Sequence, residues 1–183
     1  MQDLSLFLLD LVQNSIRAGA GLVKIDIHEN EKRDWLSIDI ADDGRGMDDK
    51  TIKMVMDPFY TTRTTRKVGL GIPLFVAAVE RCQGNVTIES TAGRGTKLKS
   101  GFLLRHVDRP PFGRLDSTVT TLIMCNPGID FVYCHKTDSG IFTLDTREIR
   151  EIMGEIPLEH PEVIGWIETY IRDGLKEIDG GVS

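Results

Sequence analysis

Asp42-Asp43-Gly44-Arg45-Gly46-Met47, answered further along by Lys67-Val68-Gly69-Leu70-Gly71-Ile72, is the stretch that decides how this chain folds. Between the two glycine-bearing turns lies a segment of hydroxyls and cations, Thr61-Thr62-Arg63-Thr64-Thr65-Arg66-Lys67. Glycine has no Cβ, accepts positive φ and lets a ligand approach the main chain. A carboxylate at a strand end beside such a turn accepts a hydrogen bond from a ligand amine, and burial makes that contact selective. Taken alone, Asp-Asp-Gly is more often just a surface turn or a cation loop. The second turn, Gly69-Leu70-Gly71-Ile72-Pro73, opens a helix carrying Leu74, Val76, Ala77, Ala78 and Val79. Proline fits a first turn, and the unpaired N–H groups of a helix start attract phosphate. The pattern suits a backbone that passes close to a nucleotide. From Asp48 to Lys67 no clean period is visible, so this segment reads as a lid or binding loop, its apolar end anchored by Pro58-Phe59-Tyr60.

Residues 2–18 read as an amphipathic helix, with Leu4, Leu8, Leu11, Val12 and Ile16 on one side and Asp3, Asp10, Asn14 and Arg17 on the other. Asp10 and Asn14, four apart, share a face. Leu22 to His28 and Trp35 to Ala41 alternate with period two about the polar turn Glu29 to Asp34, which makes a hairpin running straight into Asp42. Beyond the second glycine turn and its helix, Gly84-Asn85 leads into a second hairpin. One strand runs from Val86 to Ser90, the turn is Ala92-Gly93-Arg94-Gly95-Thr96, and a further strand runs to about Val107.

Composition narrows the function classes. With 183 residues, 40% hydrophobic and 27% charged, the chain buries a core in one compact domain with room for a small appendage. A formal charge of -6 and a pI near 5.2 argue against nucleic acid as the partner, because duplexes are held by clustered Lys and Arg. Cys82, Cys125 and Cys134 have neither C-x-x-C spacing nor an even count, so neither a disulfide framework nor a zinc knuckle is suggested. The acidic N-terminus and the lack of any apolar run of roughly 18 residues predict a protein that is not membrane-bound and works in the cytoplasm.

The P-loop pattern is absent, and Gly69-x-Gly71 lacks a third glycine where Leu74 stands. What distinguishes the chain is the order of its motifs. Asp10-Leu11-Val12-Gln13-Asn14-Ser15-Ile16-Arg17-Ala18-Gly19-Ala20 resembles the N-box of the GHKL ATPase superfamily (gyrase B, heat-shock chaperone, histidine kinase and MutL mismatch-repair ATPases). Asp42-Asp43-Gly44-Arg45-Gly46-Met47 resembles its first glycine box, and Asp57-Pro58-Phe59-Tyr60-Thr61-Thr62-Arg63 the kinase-type F-box. Gly69-Leu70-Gly71-Ile72 and Gly93-Arg94-Gly95-Thr96 resemble the second and third glycine boxes, and the likeness covers residues 4 to about 104.

This resemblance implies an α+β fold, a two-layer α/β sandwich with a mixed sheet and helices on one face (the histidine-kinase-like ATPase or Bergerat fold), binding ATP and Mg²⁺ between helices and lid. Carried over residue by residue, it makes Asn14 the Mg²⁺ ligand, which suits a hard cation that takes an amide oxygen, phosphates and waters. Asp42 would accept the adenine amine, with Gly46 and Thr96 lining the base. Gly69, Leu70 and Gly71 would offer N–H groups to the phosphates, and Lys67, Arg63 or Arg66 would neutralise charge there. Ala18, Gly44, Met47, Phe59, Thr62 and Ile72 complete the nucleotide boxes. Where hydrolytic members carry Glu, this chain has Asp10, one methylene shorter. It is either a general base for slow hydrolysis or a carboxylate with an electrostatic role near Mg²⁺. At Leu98 the aromatic often found two residues past the Thr is absent.

Residues 1–107 therefore form the ATP-binding domain and residues 108–183 an αββαα extension that packs on it or continues it. In that extension Asp116 or Ser117 caps a helix with Val119, Leu122 and Ile123 inward. Ile129 to His135 and Ile141 to Leu144 form a third hairpin. Asp145-Thr146-Arg147-Glu148 resembles a capping box for a helix with Ile149, Ile152 and Met153, and a last helix from Pro161 buries Val163, Ile164, Ile167, Tyr170, Ile171 and Leu175. The run Leu122 to Thr146 faintly resembles the start of the second domain of mismatch-repair ATPases. The implied function is that of a slow ATPase or nucleotide-driven switch acting on a protein partner or as a homodimer. A protein serine or histidine kinase acting on a separate partner, and a module that binds ATP without cleaving it, remain as alternatives. The N-box starts ten residues into the sequence, with no phosphoacceptor helix pair ahead of it, and His28, His106, His135 and His160 lack motif support as acceptors.

Overall fold

A computed structural model describes residues 3–56 and 71–179. Helix α1, Leu4–Arg17, starts where the Asp3 carboxylate accepts the Leu6 N–H, and it buries Leu4, Phe7, Leu8, Leu11 and Val12 along one stripe. Strands β1 (Leu22–Asn30) and β2 (Trp35–Asp42) form the first hairpin about a 3₁₀ turn, Glu31–Arg33. Helices α2 (Asp49–Met56) and α3 (Gly71–Arg81) precede the second hairpin, β3 (Asn85–Thr91) and β4 (Gly95–Leu103). Helix α4 (Leu115–Cys125), strands β5 (Asp130–Lys136) and β6 (Ile141–Asp145), and helices α5 (Thr146–Met153) and α6 (Pro161–Ile178) follow.

The strands make one mixed six-stranded sheet in the order β3-β4-β2-β1-β5-β6, in which only the β1–β5 pairing is parallel. Its register lines up one apolar row across all six strands: Ile88, Leu98, Ile40, Ile25, Tyr133 and Leu144. Because side chains alternate along a strand, this row and its neighbours form one face, buried under the helices, while Lys24, Asp26 and Lys97 point to solvent from the other. The result is an α+β two-layer sandwich of the histidine-kinase-like ATPase type. The third hairpin extends the same sheet, with β5 paired to β1. Among the described residues no helix is long and apolar enough to cross a membrane.

Several sequence expectations are corrected. The supposed irregular lid begins with α2: Asp48 accepts the Thr51 N–H at 2.8 Å, and Ile52, Val55 and Met56 fall at helical spacing. Strand β4 stops at Leu103 rather than near Val107, since the next two N–H groups, those of Leu104 and Arg105, go to the carbonyl and carboxylate of Asp34. Helix α4 starts after Arg114 with no side-chain cap, which leaves Asp116 and Ser117 inside it. Ile152 is 75% exposed because α5 is short and turns only Thr146 and Ile149 fully inward. Tyr170 stands outside the buried stripe of α6, formed by Val163, Ile167, Ile171 and Ile178, and stacks on Trp166 instead. Of the histidines, His135 is buried on β5, with Nδ1 against the Tyr133 hydroxyl at 2.9 Å and Nε2 against Glu29 at 2.7 Å.

Two outcomes are expected. Ile25→Ala, at the centre of the six-strand row, should cost about 2–5 kcal/mol in urea unfolding, whereas Ile152→Ala should stay within about 0.5 kcal/mol; equal losses would refute the register. The hydrogen bond from the Arg147 side chain holds the Asp145 carboxyl below its ordinary value of 3.8, while burial partly opposes it. Stability from that pair is complete above the ordinary value and is lost as pH falls through the lowered one. Asp145→Asn should therefore flatten the acid limb of a pH–stability curve below about pH 5.

Candidate functional site

At one end of the buried face the apolar layer turns polar. Ser90, Thr96 and Asp42 are cross-strand neighbours on β3, β4 and β2, continuous with Val23 on β1. Unpartnered polar groups at this depth would be costly, and each has a partner. Asp42 Oδ2 accepts the Ser15 hydroxyl from α1 at 2.7 Å, and Oδ1 accepts the Gly44 N–H at 2.9 Å. Ser90 Oγ donates to the Gly95 carbonyl at 2.8 Å and accepts the Met47 N–H at 2.8 Å. With its one proton spent, its 2.9 Å contact with Thr96 Oγ1 is donated by the threonine. Asp42 and Thr96 thus both present acceptors to whatever lies above them.

The glycine turn is fastened on both sides. Arg45 donates its N–H to the Ala18 carbonyl at the end of α1 at 2.9 Å, and accepts the Gly93 N–H from the β3–β4 turn at 2.7 Å. Asp43 Oδ1 accepts from the Gly21 and Leu22 N–H groups at 2.8 and 2.9 Å. Gly46 has φ +65°, and a Cβ there would overlap the Thr91 carbonyl oxygen, so only glycine closes this turn.

Above the row is a cavity of about 460 Å³, within the range of small-ligand sites. Leu11, Ile40, Val55, Ile72, Ile88 and Leu98 give it apolar walls, and the acceptors lie at its base. Of the residues singled out in the sequence, Asn14, Ala18, Asp42, Gly46, Met47, Ile72 and Thr96 line it. Gly44 supports Asp42 from behind. Asp10 is exposed on α1 and Gly71, at the start of α3, packs on it: a Cβ at Gly71 would come within 2.9 Å of Asp10 Cβ. Phe59, Thr62, Arg63, Arg66, Lys67, Gly69 and Leu70 lie outside the described residues. Sequence reasoning missed Ser15 and Ser90, which orient the acceptors, and the roof formed by Thr51 and Val55 of α2. For Ser15 a signal existed: it falls four residues after Leu11 on the inner stripe.

The donor set fits an adenine nucleotide with Mg²⁺. A pair of acceptors in an apolar slot selects an amine. The Asn14 amide nitrogen donates to the Asp10 carbonyl at 3.2 Å, which leaves the amide oxygen for a cation. Among the described residues no cluster of three or more His, Cys, Asp or Glu could hold a metal by itself. A cation here would draw its other ligands from phosphates and water, as Mg²⁺ does.

Residues 2–106 match the family model of histidine kinase-, DNA gyrase B- and HSP90-like ATPases. The chain belongs to this family. The matched segment is an ATP-binding domain of that type and carries every part of the cavity described above. A protein of Shewanella frigidimarina described as a sensor protein is 36% identical over 111 residues, which cover 58% of this chain and 17% of that protein. The sensor protein kinase FleS of Pseudomonas aeruginosa is 36% identical over 88 residues, 48% of this chain and 22% of the relative. The chain thus spans about a fifth of the length of these curated relatives. The solved N-terminal domain of a DNA repair protein shares the fold with a TM-score of 0.53 at 15% identity, over 79% of this chain and 52% of that one.

Ser15→Ala would leave the buried edge of Asp42 without its hydroxyl donor. ATP affinity should fall about tenfold by calorimetry, with a stability loss of about 1–3 kcal/mol; an unchanged affinity would mean that Asp42 is not oriented by this bond.

Proposed function

We propose that the protein binds Mg-ATP in this cavity and acts as a slow ATPase or nucleotide-driven switch on a protein partner. The observation that carries the reading is the pair of fixed acceptors, Asp42 and Thr96, under apolar walls, with Asn14 lining the same cavity. Asp42 and Thr96 orient the base through its amine. The walls from Leu11, Ile40 and Leu98 exclude water from it. Asn14 offers its oxygen to the cation, which when bound supplies charge neutralisation at the phosphates. Asp10, one helical turn before Asn14, takes the proton of the attacking water if hydrolysis occurs; its short side chain favours slow turnover, since misplacement of about 1 Å is costly in rate.

The relatives named as a sensor protein and a sensor protein kinase support a second reading, transfer of the phosphoryl group to a separate protein. Phosphate released by the protein alone indicates the ATPase; labelled phosphate on an added or co-purified protein indicates the kinase.

Asp42→Asn replaces one of two acceptor oxygens with an NH₂ donor, so that the Ser15, Gly44 and adenine donors can no longer all be met, and should weaken ATP binding at least about a hundredfold by calorimetry; retained affinity removes the adenine assignment. Asn14→Ala should abolish the Mg²⁺ dependence of binding. Asp10→Asn should lose turnover while keeping affinity, and turnover that survives excludes Asp10 as the base.

A further inference from the structure

The end of the sheet away from the nucleotide cavity is open. Strand β6 is the edge, and beside it runs a groove of about 410 Å³ lined by Ile141, Phe142, Trp166, Tyr170, Asp173 and Glu177, among others. Three of these are large hydrophobic groups left in water: Ile141 is 60% exposed, Trp166 44% and Tyr170 43%. The two aromatic rings are stacked, 5.1 Å apart and 7° from parallel, and Tyr170 also packs on Phe142 at 5.2 Å. Helix α6 presses so closely here that a Cβ at Gly174 would overlap the Phe142 ring. The platform is therefore built on a rigid base.

Among the described residues nothing bonds the outward backbone groups of this edge. The Thr137 N–H donates to the Gly140 carbonyl, closing a two-residue hairpin loop. Antiparallel pairs alternate between hydrogen-bonded and non-bonded. His135–Phe142 and Tyr133–Leu144 are then the bonded pairs, and the N–H and C=O groups of Ile141 and Thr143 point outward. Edge strands are usually blunted with charge. The opposite edge, β3, follows that rule: its exposed positions are Asn85, Thr87, Glu89 and Thr91, and Glu89 pairs with Lys99 at 2.7 Å. On β6 the exposed positions are Ile141 and Thr143, without charge.

We propose that β6 and its groove are a docking site for an extended segment of a protein partner. The segment adds as a strand to β6, sets an apolar side chain on the Tyr170–Trp166 stack and places Lys or Arg against Asp173 and Glu177. Strand addition supplies main-chain hydrogen bonds and the alternate side chains supply selectivity. The basic requirement comes from charge: Asp173 and Glu177, four apart on α6, form no ion pair among the described residues. The same charge disfavours a second copy, because two-fold pairing of β6 with itself brings both acidic rims to one side of the seam in a chain of net charge -6. This site goes beyond the nucleotide reading and does not depend on it.

The test uses the full chain and two synthetic peptides, acetyl-Lys-Val-Leu-Val-Lys-Thr-amide and its counterpart with Glu for both Lys. The basic peptide should bind in calorimetry, should slow hydrogen exchange at the Ile141 and Thr143 amides, and should bind about tenfold more tightly than the acidic one. Tyr170→Ala should weaken it about tenfold, and so should Thr143→Pro, which removes one outward N–H at a position where an edge strand tolerates proline. Combined Asp173→Lys and Glu177→Lys should transfer the preference to the acidic peptide. ATP affinity should be unchanged in all of these variants, which separates this site from the nucleotide cavity. If Thr143→Pro fails to fold, the exchange pattern of the unaltered protein decides. Equal binding of both peptides, no binding at millimolar concentration, or exchange protection elsewhere than β6 overturns the proposal. So does concentration-dependent dimerisation abolished by Tyr170→Ala, because the edge then belongs to a second copy.

Discussion

The carboxylate of Asp42 sits where a hydrophobic layer ends, and the surrounding structure exists to keep it there as an acceptor. Two donors from different parts of the chain hold it: the Ser15 hydroxyl on α1 and the Gly44 N–H in its own turn. Even for a half-buried carboxylate, fewer partners would leave part of its desolvation cost uncompensated. Among the described residues no buried side-chain nitrogen or oxygen lacks a partner, so the acceptors are held without leaving orphans behind. This arrangement requires α1, the first glycine turn and the β3–β4 turn to meet. The Ala18, Arg45 and Gly93 backbone bonds are that meeting point.

What the sequence made legible follows from periodicity. Strands with alternating apolar residues, such as Val23-x-Ile25-x-Ile27 paired with Leu36-x-Ile38-x-Ile40, reveal their face and partner because a slip of one residue would expose the whole set. Helix α1 was readable for the same reason. Helix α2 was not: eight residues give barely two turns, and its Lys50, Thr51 and Lys53 blended into the polar run that follows. The site divided along similar lines. Asp42, Asn14 and the glycines belong to recognisable motifs. Ser90 does not, because its role depends on cross-strand register, and hydroxyls that bond across strands leave no spacing in the sequence. Ile152 and Tyr170 were placed inside by a pattern that distinguishes apolar from polar but not covered from uncovered. Their exposure is a property of what packs beside α5 and α6.

The third hairpin changes what the sheet can do. Strand β5 joins β1 in parallel, so the strand that starts beside the glycine turn, at Leu22, is also the one on which the C-terminal elements are laid. The contacts run without a break. Asp43 bonds the N–H groups of Gly21 and Leu22, and the Asp130 N–H bonds the Gly21 carbonyl. The Asp130 carboxylate receives the Thr146 hydroxyl and Arg150 Nε, and the Thr146 hydroxyl in turn accepts the Phe131 N–H. One end of this chain of bonds is the glycine turn whose Arg45 and Gly46 line the cavity, and the other is the first turn of α5.

Such a path does not by itself make a switch, because coupling requires an element with two discrete arrangements that both sites bias. The geometry limits where that element can be. From Leu98 to Leu144 the core row is buried, as are His135 and Tyr133, which bond each other and the half-buried Glu29, and a close-packed interior deforms poorly. Two helices beside the path are held more lightly: α2, which lines the cavity, buries only Val55, and α5 only Thr146 and Ile149, so each can shift at small cost in buried area. A nucleotide that draws α2 onto the base would therefore act by moving a lightly held helix over a fixed sheet. The Asp43–Gly21–Asp130 bonds are one route from the glycine turn to the C-terminal elements that does not run through the core.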